Sequence, residues 1–186
     1  MSKFTCKSYA NNLIDQLANR DWQEVELLAE KLKVLISEGH SLYICGNGGS
    51  AGNAQHLAND FLYGVSPNKG NAIRVEALSA NASVITCLGN DIGYDQIFSR
   101  QLEVKGNKGD ILLVLTGSGN SGNIINAITS AKSLGMYTTG ILGYAGGKAK
   151  ELLDLPIHFS INDMQISEDM QLVVGHMIMR LLCDED

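Results

Sequence analysis

The sequence predicts a three-layer αβα sandwich built on a parallel sheet. Short apolar runs recur from residue 41 onward, helix-like stretches separate them, and glycines bound most of the runs. The chain has 186 residues, two prolines and no low-complexity stretch, so residues 1–186 read as a single domain without a linker.

The first 37 residues read as helix, available for contacts between subunits. Asp21 and Glu24 fit a capping box, and Val25, Leu28, Leu32, Leu35 and Ile36 form an apolar stripe behind it. The strands are expected at 41–45, 72–75, 111–115, 138–142 and 155–159. Helices are expected near 50–64, 81–88, 121–134 and 146–153, with a last one near 164–183. On that last helix Met170, Val173, Val174, Met177, Ile178 and Leu181 exceed one monomer face, which implies burial between subunits.

Composition narrows the function classes. Apolar residues make up 45% of the chain and charged ones 18%, enough for a substantial core. A net charge of −6 without basic runs argues against nucleic acid, because neutralising phosphates takes clustered Lys and Arg. Cys6, Cys45, Cys87 and Cys183 form no CxxC pair; Cys45 and Cys87 sit in apolar runs and read as core residues of a protein in a reducing compartment. The first residues are too polar for a signal peptide, and no apolar stretch is long enough to span a membrane. A cytoplasmic protein is expected.

Two glycine–serine loops follow strands in this reading. They are Gly46-Asn47-Gly48-Gly49-Ser50 and Thr116-Gly117-Ser118-Gly119-Asn120-Ser121. Ligands of parallel α/β sheets sit at such strand ends. Each loop opens a helix, so free N–H groups and the helix dipole favour an anion there. Neither loop carries the Gly-Lys-Ser or Gly-Lys-Thr of a Walker loop. Both match a dinucleotide pattern by letter, and Glu76 is the one acid placed to meet a ribose after the first. Plain tight turns are the bland alternative.

The order and spacing of several segments then become specific. Gly46-Asn47-Gly48-Gly49-Ser50, Ala54-Gln55-His56-Leu57-Ala58, Gly89-Asn90-Asp91, Ile97-Phe98-Ser99-Arg100 and Gly119-Asn120-Ser121 together resemble the phosphoheptose isomerases, a branch of the sugar isomerase (SIS) proteins. The likeness runs from about residue 10 to residue 182. The resemblance implies conversion of sedoheptulose 7-phosphate to a glycero-manno-heptose 7-phosphate for surface polysaccharide. It also implies homotetramers with active sites between subunits, some with zinc. The family's phosphate loop usually reads Ser-Thr-Ser-Gly-Asn-Ser; here Thr116 and Gly117 stand in the first two places, and Ser118 and Ser121 remain.

An aldose–ketose isomerase needs a base for a carbon-bound proton and an acid for the oxygen. His56 and Asp60, spaced i, i+4, share a helix face. Glu168 and His176 lie eight residues apart, about 80° in angle and about 12 Å along an ideal helix. The resemblance assigns these four to the positions of a histidine, a catalytic glutamate, a glutamine and a catalytic histidine, the set that holds zinc where zinc is seen. Asp60 then stands for glutamate and Glu168 for glutamine. The shorter side chain withdraws the carboxylate, and about 1 Å of misplacement costs ~100-fold in rate, so weak heptose turnover is expected. Two imidazoles and two carboxylates suit zinc or another divalent ion.

The expected substrate contacts are Asn47, Gly48, Ser50, Asn90, Asp91, Thr116, Ser118, Asn120, Ser121 and Glu168. Asp60 is the candidate base and His176 the candidate acid. Each has a plainer reading. His56 could pack or cap its helix, Asp60 and Glu168 could be solvated helix residues, His176 a core histidine, and Asn90 and Asp91 turn residues. A non-catalytic relative of the replication-initiator-associating type is the rival function; it would bind a protein and lack the catalytic pair.

Overall fold

The computed structural model describes residues 5–18, 20–67, 70 and 72–183. Residues 1–4 and 19, part of the expected N-terminal helical segment, lie outside the described residues. Five strands, β1 (Ser41–Gly46), β2 (Arg74–Ala77), β3 (Ile111–Thr116), β4 (Tyr137–Leu142) and β5 (Leu155–His158), form one parallel sheet in the order β2-β1-β3-β4-β5. The expected second strand moves two residues along the chain, because Arg74 rather than Ala72 begins the pairing with Ser41.

The alternation of side chains along each strand sorts the core into two layers. Leu42, Ile44, Ile111, Leu113 and Leu115 face one cluster, and Tyr43, Cys45, Leu112 and Val114 face the other. The first cluster is closed by α2 (Gln23–Glu38), α3 (Gly49–Asn59) and α8 (Met164–Leu182). The second is closed by α5 (Ser99–Lys105), α6 (Gly122–Ser133) and α7 (Gly147–Leu152). The three-layer sandwich read from the sequence is present.

Two peripheral helices bury no residue fully: α1 (Cys6–Ala18) and α4 (Ala82–Asp91). On α1, Tyr9, Leu13 and Leu17 are half-buried against the first layer, and the Tyr9 hydroxyl donates to Asp169 of α8. That bond, with burial and the nearby charges of Asp169 and Asp163, pushes the phenol up to about 12. Cys87, expected in the core, is exposed, because α4 turns only Ile85 and Leu88 toward the second layer.

Three local expectations are corrected. The capping box is absent: Asp21 accepts from the Gln23 N–H, while Glu24 pairs with Arg20 at 2.6 Å. The expected helix 50–64 is α-helical only to Asn59 and continues as a π turn, Asp60–Gly64. The chain between α4 and β3 holds a 3₁₀ turn (Tyr94–Gln96) and α5, neither expected. The apolar stripe of α8 is mostly satisfied within the monomer: Ile166, Met170, Val174, Ile178 and Leu182 recur every four residues and are all buried. Leu181 remains exposed, and Val173 and Met177 are half-buried.

Candidate active site

Helices α3 and α8 run side by side over the sheet, and their contacts climb in step. Gln171 Nε2 donates to Ser50 Oγ at 2.9 Å, and Asn53 Nδ2 donates to Gln171 Oε1 at 2.9 Å. One turn on, the Leu57 side chain fills the space a β-carbon would need on Gly175. This close approach sets the next residue of α8, His176, against His56 of α3.

The two Nε2 atoms lie 3.0 Å apart, and Asp60 Oδ2 is 3.3 Å from that of His56 and 3.4 Å from that of His176. Asp60 is the first residue of the π turn. Such turns recur at functional sites because they re-aim side chains without ending the helix. Here the turn keeps the shorter carboxylate within reach of both rings. The imidazoles are half-exposed and Asp60 less so, so the triangle opens to solvent on one side.

Tetrahedral zinc with Zn–N bonds of about 2.0–2.1 Å places neighbouring donor atoms about 3.3–3.4 Å apart. The observed triangle fits a divalent ion with a position left for a ligand. Among the described residues, His56, Asp60 and His176 are the group of this kind. Glu168, expected as a fourth ligand, is not in it. Glu168 lies two turns before His176, and its carboxylate rests instead over Gly49, at the opposite end of α3.

That opposite end is a cavity of about 290 Å³ at the carboxyl edge of the sheet. Its walls include Asn47, Gly48, Gly49 and Ser50 from the first loop, Thr116, Gly117, Ser118 and Ser121 from the second, and Met164 and Glu168 from α8. Both loops therefore meet one space, as their positions after β1 and β3 require. Gly48 and Gly119 take positive φ, +56° and +67°, which lets each chain turn from strand to helix.

The expected contacts divide inside this space. Ser50 is buried and accepts from Gln171, leaving its own proton to turn toward the cavity. Thr116 accepts from the Gly119 N–H at 3.2 Å and so shapes the loop. Asn120 Oδ1 accepts from the Lys148 N–H at 3.1 Å, and its Nδ2 donates to the Ser118 carbonyl, pinning the second loop to the start of α7. Asn120 does not line the cavity. Asn90 and Asp91 are exposed at the end of α4 and also lie outside it; Asn90 Nδ2 donates to Asp91 Oδ1.

Two supports were not legible in the sequence. Asn123 of α6, buried, exchanges amide hydrogen bonds with Asn47 at 2.8 and 2.9 Å, and the Tyr94 hydroxyl donates to Asn47 Oδ1 at 3.0 Å. They hold the first loop against the second. Asn123 stands in the first turn of a helix that follows a glycine–serine loop, and that was the only available signal. Glu76, the one acid placed for a ribose, is taken by Lys105 at 2.5 Å, which removes it from the dinucleotide reading.

Another cavity, about 310 Å³, lies at the amino edge of the sheet beside Lys31, Val34, Gly109 and Tyr137. It has neither loop nor cluster, and parallel sheets bind ligands at the other edge.

Comparison with known proteins agrees with this geometry. The SIS domain family matches residues 7–143. The phosphoheptose isomerase of Aliarcobacter butzleri is 39% identical over 158 residues, covering 84% of this chain and 83% of the relative. The solved phosphoheptose isomerase of Neisseria gonorrhoeae superposes with a TM-score of 0.87 at 27% identity, over 95% of both chains. That of Francisella tularensis gives 0.88 at 26% identity, over 96% of both. With two serine loops facing one cavity and a His–Asp–His triangle on the adjoining helices, the chain belongs to the phosphoheptose isomerase family of SIS-domain proteins.

Proposed function

We propose that the chain is an aldose–ketose isomerase that interconverts sedoheptulose 7-phosphate and D-glycero-D-manno-heptose 7-phosphate. The observation that carries the reading is the convergence of His56, Asp60 and His176 beside the two-loop cavity. Along α3, the six helical steps from Ser50 to His56 span about 9 Å, the order of length of an extended sugar phosphate.

In this reading Ser118, Ser121 and the N–H groups opening α6 hold the phosphate. Ser50 and Asn47 meet hydroxyls. At the carbonyl end, Asp60 takes the C1 proton of the ketose, giving an enediol, and a proton is returned at C2. His176 transfers a proton at the oxygens, so the same atoms leave as aldose. The donor triangle suits zinc or another divalent ion held by His56, Asp60 and His176, with Glu168 outside the set. Such an ion supplies Lewis-acid polarisation of a carbonyl oxygen when bound.

A cytoplasmic homotetramer feeding surface polysaccharide synthesis completes the proposal. The family resemblance supports it, as do the half-exposed histidines and the apolar Leu62, Tyr63 and Leu181 left on the surface. Among the described residues no helix is long and apolar enough to cross a membrane. The protein-binding rival is disfavoured, since Asp60 and His176, the two residues it would lack, are both present and lie 3.4 Å apart.

Turnover of sedoheptulose 7-phosphate by the purified protein tests the reading. Aldose formation that disappears in His176→Ala supports it, and no turnover with or without added zinc overturns it.

A further inference from the structure

The second serine loop rests on the turn between β4 and α7. The Gly143 N–H donates to the carbonyls of Thr116 and Gly117 at 3.2 and 3.1 Å, and the Ala149 N–H donates to that of Gly119 at 3.0 Å. A β-carbon on Gly119 would run into the Gly146 carbonyl, and one on Gly147 into that of Ser118. At these points the two segments meet main chain to main chain, with no side chain between them to absorb a shift.

Within that turn Tyr144 is, among the described residues, the one residue other than glycine with a positive φ, +45°. A bulky side chain is disfavoured there because its β-carbon crowds the following carbonyl. Two hydrogen bonds hold it in place. The Tyr144 N–H donates to the Ile161 carbonyl at 3.0 Å, and the Tyr144 carbonyl accepts from His158 Nε2 at 2.9 Å. The tyrosine ring then stands beside Gly117, its Cε2 3.5 Å from the place of a β-carbon.

Partners on both sides fix the tautomer of His158. A carbonyl only accepts, so Nε2 carries the proton; an ammonium only donates, so Nδ1 accepts from Lys150 Nζ of α7 at 3.1 Å. The main chain of residue 158 is held separately, by pairing with Leu142 in the sheet and by Arg20 Nη1, which donates to its carbonyl at 2.8 Å. His158 and Lys150 line a cavity of about 480 Å³ that is distinct from the two-loop cavity, and neither lines the latter.

We propose that His158, its tautomer set by Lys150, is a positioning residue for the second serine loop. It acts through Tyr144, which it holds in the left-handed conformation, and so seats the turn on which the loop lies. Its effect on a sugar phosphate rests on reading that loop as the phosphate binder; its effect on the loop itself does not.

Amide hydrogen exchange on the intact protein, read by mass spectrometry over residues 114–121 and 143–150, tests the proposal. His158→Leu should speed exchange in both segments ~5-fold, the scale of one lost hydrogen bond, and leave α2 unchanged. His158→Gln, which keeps an N–H donor, should return exchange to within about twofold of the unmodified chain. Lys150→Met should give a smaller rise than His158→Leu, since the ring can still present Nε2–H. In a Tyr144→Gly background, where positive φ carries no penalty, His158→Leu should change exchange by less than about twofold. Unchanged exchange in His158→Leu would overturn the proposal, as would an equal rise in His158→Gln or a rise spread over the whole chain. An undiminished effect in the Tyr144→Gly background would overturn the route through Tyr144.

Turnover supplies a second readout. His158→Leu should raise KM for sedoheptulose 7-phosphate ~5-fold with kcat within about twofold, because the loop and not the triangle is disturbed. A fall in kcat at constant KM would contradict the assignment. Absence of turnover in the unmodified chain would defeat the isomerase reading, while the exchange measurements would still decide the role of His158.

Discussion

Leu57 of α3 occupies the space in which Gly175 of α8 would carry a β-carbon, and the residues beside them, His56 and His176, consequently lie with their Nε2 atoms 3.0 Å apart. A mid-helix glycine costs roughly 0.5–1 kcal/mol relative to alanine, yet here it sets the spacing of the two helices that carry the triangle. Gly175→Ala should therefore destabilise the fold rather than improve helix propensity. Overpacking of about 1–3 kcal/mol is expected. Thermal melting and zinc titration should fall together, and a more stable variant with intact zinc binding would refute the close-approach argument.

Asp60 reaches both imidazoles from the start of a π turn. Because the carboxylate is already at 3.3 and 3.4 Å, Asp60→Glu should crowd the triangle and lower turnover, by ~10-fold or more for a shift of the order of 1 Å. Steady-state kinetics with sedoheptulose 7-phosphate decide this, with a rise in kcat as the contrary result.

Asn47 depends on Asn123 for both of its amide partners across the loops. Asn123→Ala should leave Asn47 half-satisfied and cost about 1–3 kcal/mol in denaturant unfolding. It should also raise KM more than it lowers kcat, since the loop and not the triangle is disturbed. Unchanged stability and KM would show the pair to be incidental.

A pH effect is expected far from the site. For Asp154, burial pushes the carboxyl up, but hydrogen bonds from Lys132 and from the Thr138 N–H and hydroxyl outweigh it and hold it below the usual range. A depressed folded value contributes stability that is full above the ordinary carboxylate pKa and is lost as pH falls through the folded one. The stability gap between the unmodified chain and Asp154→Asn should accordingly be constant near neutrality and shrink below about pH 4. A gap independent of pH would contradict the assignment.

How much of this was legible in the sequence follows from the range of the interactions. The sheet and both loops were readable because apolar runs and Gly–Ser clusters are local signals, and His56–Asp60 was readable from helical spacing. Glu168 was not. Its separation from His176 on one helix says nothing of which turn of α3 each residue meets, and that is fixed by Gly175 and Leu57. Asn123 and Tyr94 reach Asn47 across 76 and 47 residues, beyond any local pattern. Cys87 looked buried because an apolar run does not reveal that its helix lies at the edge of the molecule. The short α5 escaped notice because Ile97, Phe98 and Leu102 supply barely one helical repeat.

Proton transfer at carbon is the central claim, and solvent exchange tests it most directly. Sedoheptulose 7-phosphate incubated with the protein in deuterated water, followed by NMR, should yield aldose with deuterium at C2, because the base exchanges its proton with solvent before returning it to the enediol. Asp60→Ala and His176→Ala should each suppress both the deuterium and the aldose by ~100-fold or more, the scale of a positioned acid or base. Unlabelled sugar recovered after prolonged incubation with the intact, zinc-supplemented protein would contradict the account.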